Sequence, residues 1–345
     1  MYITDLRAMS PQPTYDGDFS NGKIENCYGD KFTAIECDYM GMISPNLLRR
    51  MGKSIRMGIG TAVPLLNKNS KPDAIIMASA EGGLDDCFKF LNQIVNYQEG
   101  TLAPTNFVQS TPNALAGNLA LINENNQYNI THVHKGLAFE SAVVDAMLLF
   151  KENKAESVLL GNVEEFSVHN NNIEKLGGYC KEGQWSCFNL FDSNTSGYIN
   201  GEGAAMFYLE KQAKSYLAEI VDVEQISNPD SEDIDYVLTK ILDNNKIEKK
   251  DIDVVILGKN GDINTDSVYD NFFTKYFSDK TAVTYKELVG EYPTAVGFAV
   301  FLGTLLVSNT NPEFLKNFRL KENANNVLIY NHFKGVQHSF ILLRK

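Results

Sequence analysis

The stretch Phe191–Glu210 reads FDSNTSGYINGEGAAMFYLE, and the fold is decided by how it is read. Its polar first half ends at Gly201 and Gly203, residues that permit a tight turn and a close backbone approach where side chains would clash. Ala204–Leu209 (AAMFYL) follows, a short apolar run with the length and composition of a buried strand. The Gly-x-Gly pair leads into a strand, not a helix. A dinucleotide site is therefore unsupported, because its glycines must open a helix whose N-terminus receives the pyrophosphate.

Working outward, similar runs recur at Ala74–Ala78 (AIIMA), Ser157–Leu160 (SVLL), Val254–Leu257 (VVIL) and Val327–Tyr330 (VLIY). They alternate with longer helical patterns, which reads as α/β. Two pairs of segments look alike across the chain. DAIIMASAEGG (Asp73–Gly83) and DVVILGKNGD (Asp253–Asp262) each set an acidic residue before four aliphatic positions and a small-residue turn, as a buried parallel strand does on entering a loop. Asn129–Phe150 and Thr281–Val307 each read strand, polar loop, apolar helix. In the first, apolar positions 139, 142, 143, 146, 147 and 150 follow helical spacing. In the second, Thr294–Val307 is apolar nearly all round and is predicted to be buried on most sides. The pattern predicts a duplicated architecture, residues 1–215 and 216–345, with one buried helix per half. The plainer alternative is that strand–helix units look alike in any α/β protein.

The 345 residues are 43% hydrophobic, too apolar for disorder and ample for a dry core. A net charge of -12 argues against a general nucleic-acid binder and against anionic membrane surfaces, both of which need a basic face. The longest apolar run, Ala295–Val307, falls short of the ~20 residues that span a bilayer. No basic-then-apolar leader opens the sequence. The five cysteines, Cys27, Cys37, Cys87, Cys180 and Cys187, are odd in number and form no CxxC, which suits reduced thiols and a cytoplasmic location.

The segment Phe191–Glu210 resembles the β-ketoacyl synthases, condensing enzymes of the thiolase fold, in its Phe-Asp, its Ser-Gly-Tyr and its Gly-Glu-Gly-Ala leading into a strand that ends Leu-Glu. Other pieces match in the family's order: Ile75–Gly83, STPNALAGNLA (Ser110–Ala120), ESVLLGNVEE (Glu156–Glu165) and Phe333–Leu343. The likeness covers most of the chain from about position 40 onward, while the first 40 residues match poorly. It implies a thiolase-like five-layered α-β-α-β-α sandwich with two pseudo-repeated halves.

The resemblance also implies a Cys nucleophile at a helix N-terminus, two histidines that support decarboxylation, and a lysine. Aligned on Ala142 and Ala146, the family's Cys falls on Gly136, and a one-residue slip gives Lys135 or Leu137. The two histidines fall on Gly258 and Glu291, and only the lysine is retained, as Lys286. Phe333 matches the phenylalanine that gates the acyl pocket, with His332 and Lys334 in place of its flanking glycines. Without a thiolate there is no acyl-enzyme. The chain is therefore expected to be a partner subunit like a chain length factor, paired with an active β-ketoacyl synthase across the segment Phe107–Val133. The expected setting is polyketide, aryl polyene, flexirubin-type or fatty-acid-related biosynthesis.

Two alternatives stay open: an atypical acyl-thioester enzyme using Glu291, His134 or Lys286 as general acid or base, and a homodimer that binds acyl chains or carrier proteins. His132, His134, Lys135, Gly136, Phe333 and Glu291 are candidates for one pocket. His134 with Ser141 is a conceivable base and nucleophile, although Ser141 would sit inside the helix, pointing away from the mouth. Arg49, Arg50, Lys53 and Arg56, on a predicted helix Asn46–Leu66, form either a solvated face or a docking patch for an acidic acyl carrier protein. His169, His332 and His338 lack metal-ligand spacing, as do Cys180 and Cys187, so no metal or cofactor is expected.

Overall fold

The computed structural model describes residues 1–102 and 104–345. The first half of the chain contributes β1 (Tyr2–Met9), β2 (Ala74–Ala78), β3 (Tyr128–His132), β4 (Ser157–Glu164) and β5 (Gly203–Glu210). The second contributes β6 (Ala218–Ser227), β7 (Val254–Leu257), β8 (Thr281–Thr284), β9 (Asn326–Phe333) and β10 (Gln337–Arg344). Their hydrogen-bonded order is β8-β7-β9-β10-β6-β1-β5-β4-β2-β3. Read from each free edge inward, both halves show one pattern: third, second, fourth, fifth, first. In each, the second strand runs parallel to the third and fourth, and the fifth is antiparallel to the fourth and first. The two groups of five meet through Tyr2↔Glu219 and Ile3↔Ala218.

The main helices of the first half are α1 (Lys53–Lys68), α2 (Leu84–Asn96), α3 (Ala114–Ile122), α4 (Ala138–Lys151) and α5 (Val168–Leu176). Those of the second are α6 (Ser231–Asn244), α7 (Ile263–Tyr276) and α8 (Val296–Ser308). α4 and α8 form the middle layer. Each packs on its own strands and on strands of the other half: α4 on β2, β4 and β6, α8 on β9, β10, β1 and β5. The apolar spacing seen in the sequence is the reason. Ala138, Ala142 and Ala146 let α4 approach the sheet, with Phe139, Val143 and Phe150 filling between. In α8 every residue from Val296 to Val307 is buried, and Thr304 satisfies its hydroxyl internally on the Val300 carbonyl at 2.8 Å. α1 and α3 cover the outer face of the first half, α6 and α7 that of the second. The five-layered sandwich expected from the resemblance is observed.

Two local expectations change. The predicted helix Asn46–Leu66 is a short turn, Pro45–Leu48, followed by α1. The break falls at Gly52, whose N–H is taken by the Gln109 side chain at 3.1 Å and whose extended backbone (ψ 163) cannot continue a helix. Gly201 and Gly203 do not form a tight turn: Asn200–Gly201 pairs in parallel with Lys31–Phe32, and Gly203 opens β5. Among the described residues no helix is long and apolar enough to cross a membrane.

Candidate functional site

The loop from β8 to α8 carries Lys286 in a one-turn helix, Lys286–Val289, then Gly290 and Glu291. Two backbone bonds hold it: the Glu291 N–H donates to the Ile199 carbonyl at 2.7 Å, and the Gly201 N–H to the Glu291 carbonyl at 2.9 Å. The backbones approach so closely that a Cβ on Gly201 would lie 2.8 Å from the Gly290 Cα. Gly290 itself sits at φ +78, where only glycine is unstrained. The glycine that marks the sequence motif thus serves close approach, and through it the first half of the chain fixes Glu291 of the second.

Glu291 and Lys286 form an ion pair at 2.8 Å, with side chains 4% and 1% exposed. The Asn260 amide donates to the same carboxylate oxygen at 2.7 Å, and Lys286 also donates to the His332 carbonyl at 3.3 Å. The second carboxylate oxygen, Oε1, has no partner. Such a pair contributes little net stability, since desolvation offsets the Coulomb gain, yet neither member tolerates losing the other. His332 stacks on Tyr269, ring centroids 4.3 Å apart. Burial, with Lys286 and His338 nearby, pushes its imidazole down to about 3, so it stays neutral. On α4, Glu140 is fully buried, and burial pushes its carboxyl up to about 7, outweighing the opposing pull of the Ser339 hydroxyl and of Lys286.

In front of this network lies a cavity of about 490 Å³ lined by Lys135, Glu291, Phe333, Glu164, Tyr198 and Asn200, among others. Three of the predicted pocket residues, Lys135, Phe333 and Glu291, therefore come together. Lys135 has the strained backbone of the mouth, φ +49, and its ammonium bonds Glu81 at 2.6 Å. Burial pushes Glu164 up to about 8. Gly136 is buried behind Phe333: a Cβ there would lie 2.7 Å from the phenylalanine's Cγ and closer still to its Cβ. Gly258 is equally closed, since a Cβ would lie 2.6 Å from the Tyr269 hydroxyl. Neither position has room for a thiol or an imidazole without repacking. Leu137 is buried.

His134 does not line the cavity. It is exposed, its Nδ1 is 3.2 Å from the Ser141 hydroxyl, and Ser141 donates to the Leu137 carbonyl at 2.8 Å. His132 pairs with Asp145 at 2.9 Å on the β3 edge, again outside the cavity. His169 stacks on Phe88. The four basic residues divide. Arg49 and Arg50 are exposed, whereas Lys53 is bonded to the fully buried Glu202 and Arg56 pairs with Glu36 at 3.4 Å. All five cysteines are free. Among the described residues no cluster of three His, Cys, Asp or Glu is arranged to hold a metal ion.

Glu202, Glu140, Glu164 and Asn260 escaped the sequence reading. Glu202 accepts from the Ala34 and Phe166 N–H groups at 2.9 and 2.8 Å as well as from Lys53, and so ties three segments together. A carboxylate between two glycines at the mouth of a buried strand was the available signal for it. Glu140, inside a helical pattern, gave none.

Fold and site define a thiolase-like α/β protein. Residues 31–169 match the family model of the beta-ketoacyl synthase N-terminal domain, and over the whole chain the fold is that of the β-ketoacyl synthases and chain length factors it resembles. The ishigamide ketosynthase/chain length factor superimposes with a TM-score of 0.79 at 13% identity, covering 100% of this chain and 98% of that one. The ketosynthase ApeO in complex with its chain length factor ApeC from Xenorhabdus doucetiae gives 0.77 at 14% identity, covering 99% and 97%. A beta-ketoacyl synthase from Burkholderia phymatum gives 0.77 at 15%, covering 100% and 98%. No curated protein matches the sequence.

Proposed function

We propose that the chain is a ketosynthase-like subunit without the Cys-His-His set, acting as a chain-length-factor-type partner of an active β-ketoacyl synthase. We take residues 1–215 and 216–345 as its two halves. The observation that carries the reading is the packing at Gly136: the phenylalanine that would gate an acyl pocket fills the space a nucleophile would need. The glycine and glutamate at the histidine positions point the same way. The free edge of β3 supplies the pairing surface. Around it Phe107, Val108, Leu121, Ile122, Tyr128 and Val133 are exposed, Leu121 to 79%, an apolar margin on an unpaired strand that calls for a covering chain. An acyl carrier protein is the second partner in this reading, with Arg49 and Arg50 as the basic residues free to meet it. The setting is polyketide, aryl polyene, flexirubin-type or fatty-acid-related biosynthesis in the cytoplasm.

A second reading rests on Glu291, which is buried, lines the cavity and keeps one oxygen without a partner. In that reading Glu291, supported by Lys286, acts as a general base on a bound thioester, and His134 takes no part. Native mass spectrometry of the tagged chain, purified from its own host at endogenous expression, separates the readings. A one-to-one complex with a cysteine-containing ketosynthase is the expected result. A homodimer alone, under conditions that preserve weak complexes, would overturn the partner reading and direct attention to acyl or carrier-protein binding and to Glu291.

A further inference from the structure

We infer that Cys27 and Cys187 are a thiol pair built to close into a disulfide, which would tie the N-terminal strap of the chain to the segment entering the Gly-Glu-Gly motif. The inference is independent of the partner reading.

The pair is set by strand register. Tyr28 lies opposite Ser186 and Gly29 opposite Trp185 in a short antiparallel ladder, so the next position along it sets Cys27 opposite Cys187. The Cys187 N–H donates to the Cys27 carbonyl at 2.8 Å, and the Cys27 N–H donates to the Cys187 sulfur at 3.2 Å. Residues directly opposite in such a ladder have Cα atoms about 4.5–5.5 Å apart, within the range a disulfide spans. The two thiols are close enough to influence each other's protons, while the Cys27 thiol donates to the Pro11 carbonyl at 3.5 Å and the Cys187 thiol to the Glu25 carbonyl at 3.5 Å. The neighbouring Cys27 thiol, aided by the Cys27 N–H, lowers the Cys187 thiol to about 7, giving it thiolate character near neutral pH, while Cys27 is pushed up. The other three cysteines lack a thiol neighbour of this kind: Cys180 is held by the Asn200 amide at 3.2 Å, and Cys37 lies beside Tyr15.

The oxidant is a low-molecular-weight disulfide. Cys187 is buried and Cys27 partly exposed, so Cys27 passes its proton to the Cys187 thiolate and attacks one sulfur of the small disulfide, expelling a thiolate and leaving a mixed disulfide on Cys27. Cys187 then gives up that proton to the released thiolate and attacks the Cys27 sulfur, expelling the second thiolate. The two cysteine protons end on the two released thiols, so one protein disulfide forms for each small disulfide reduced. The new bond closes the chain between residues 27 and 187. It fastens the strap to the helical turn Cys187–Ser193, which packs against the Lys286–Val289 turn behind the Lys286–Glu291 pair.

The experiment incubates the intact folded chain with oxidised glutathione, followed by alkylation and non-reducing peptide mapping. The expected result is a Cys27–Cys187 linked peptide and a loss of about 2 Da from the whole protein, the mass of two hydrogens. Cys37, Cys87 and Cys180 stay alkylatable, and amide exchange at Tyr28 and Cys187 slows at least several-fold. Cys187→Ser is expected to stop at a stable glutathione adduct on Cys27. If that variant does not fold, the alkylation rates in the unmutated chain still decide. The idea fails if Cys27 and Cys187 are alkylated independently after oxidation, or if the mapped linkage joins other cysteines.

Discussion

Placing a thiol at position 136 is expected to damage this protein, not arm it. In Gly136→Cys or Gly136→Ala the new Cβ falls 2.7 Å from the Phe333 Cγ and nearer to its Cβ, well inside the ~3.5–4.0 Å at which carbons pack favourably. The ring cannot simply swing away. β9 and β10 hold its backbone through the pair Phe333↔Gln337, and the Gln337 side chain accepts from the Gly136 N–H at 2.9 Å. Overpacking of this kind costs ~1–3 kcal/mol. The clash belongs to one pair of side chains, so a double-mutant cycle isolates it. Gly136→Ala should cost about 2 kcal/mol in the parent and nearly nothing in a Phe333→Gly background, which removes the Cβ of the closest contact, measured by urea unfolding at pH 7. Equal costs in both backgrounds, or a parent that accepts alanine freely, would refute the account of why no side chain fits at position 136. A Gly136→Cys protein that forms an acyl-enzyme while Phe333 is intact would refute it more directly.

The buried pair gives a second test: Lys286→Met strands the Glu291 carboxylate and should cost ~3–5 kcal/mol in urea unfolding, whereas Lys286→Met with Glu291→Leu should recover most of that loss. Glu140 makes stability depend on pH. Its carboxyl rises from the ordinary 4.5 to about 7, so its contribution is fully present below 4.5 and is lost as pH rises through 7. A displacement of that size is worth ~3 kcal/mol, and Glu140→Gln should flatten the decline between pH 5 and 8 in a series of unfolding curves. At the β3 edge, Leu121→Asp with Tyr128→Lys should leave the circular dichroism spectrum and melting temperature near those of the parent but abolish co-purification of a partner subunit. Arg49→Glu with Arg50→Glu should weaken carrier-protein binding most at low salt without loss of stability, whereas Lys53→Met should lower the melting temperature because it unpairs the buried Glu202.

The duplicated strand plan was legible because its signals are local. Val254–Leu257 and Ala74–Ala78 coincide with the observed strands, and the all-round apolar run before Val307 announced a helix buried on every side. The helix Asn46–Leu66 was misread because its interruption depends on the Gln109 side chain, more than fifty positions away in sequence. In the site, the identities of Gly136, Gly258, Lys286 and Glu291 could be read from the sequence. The His134–Ser141 contact was also legible, but that Lys135, Phe333 and Glu291 share a cavity while His134 lies outside it was not, since those three come from segments up to about two hundred positions apart.

Residue identity alone settled the apolar periodicity, the acidic balance and the order of the family-like motifs, because each is a property of composition or of neighbours a few positions apart. Charge and burial were decided by tertiary contact. Lys286 and Glu291 are five positions apart, yet their pairing follows from Asn260 and from a backbone bridge to Asn200 that only the folded sheet supplies. Glu140 and Glu164 read as ordinary acidic residues in sequence, and it is their removal from water, with few partners, that moves their protons into the neutral range. Electrostatic character depends on desolvation. Desolvation is a property of the whole packed molecule and cannot be read along a single strand or helix.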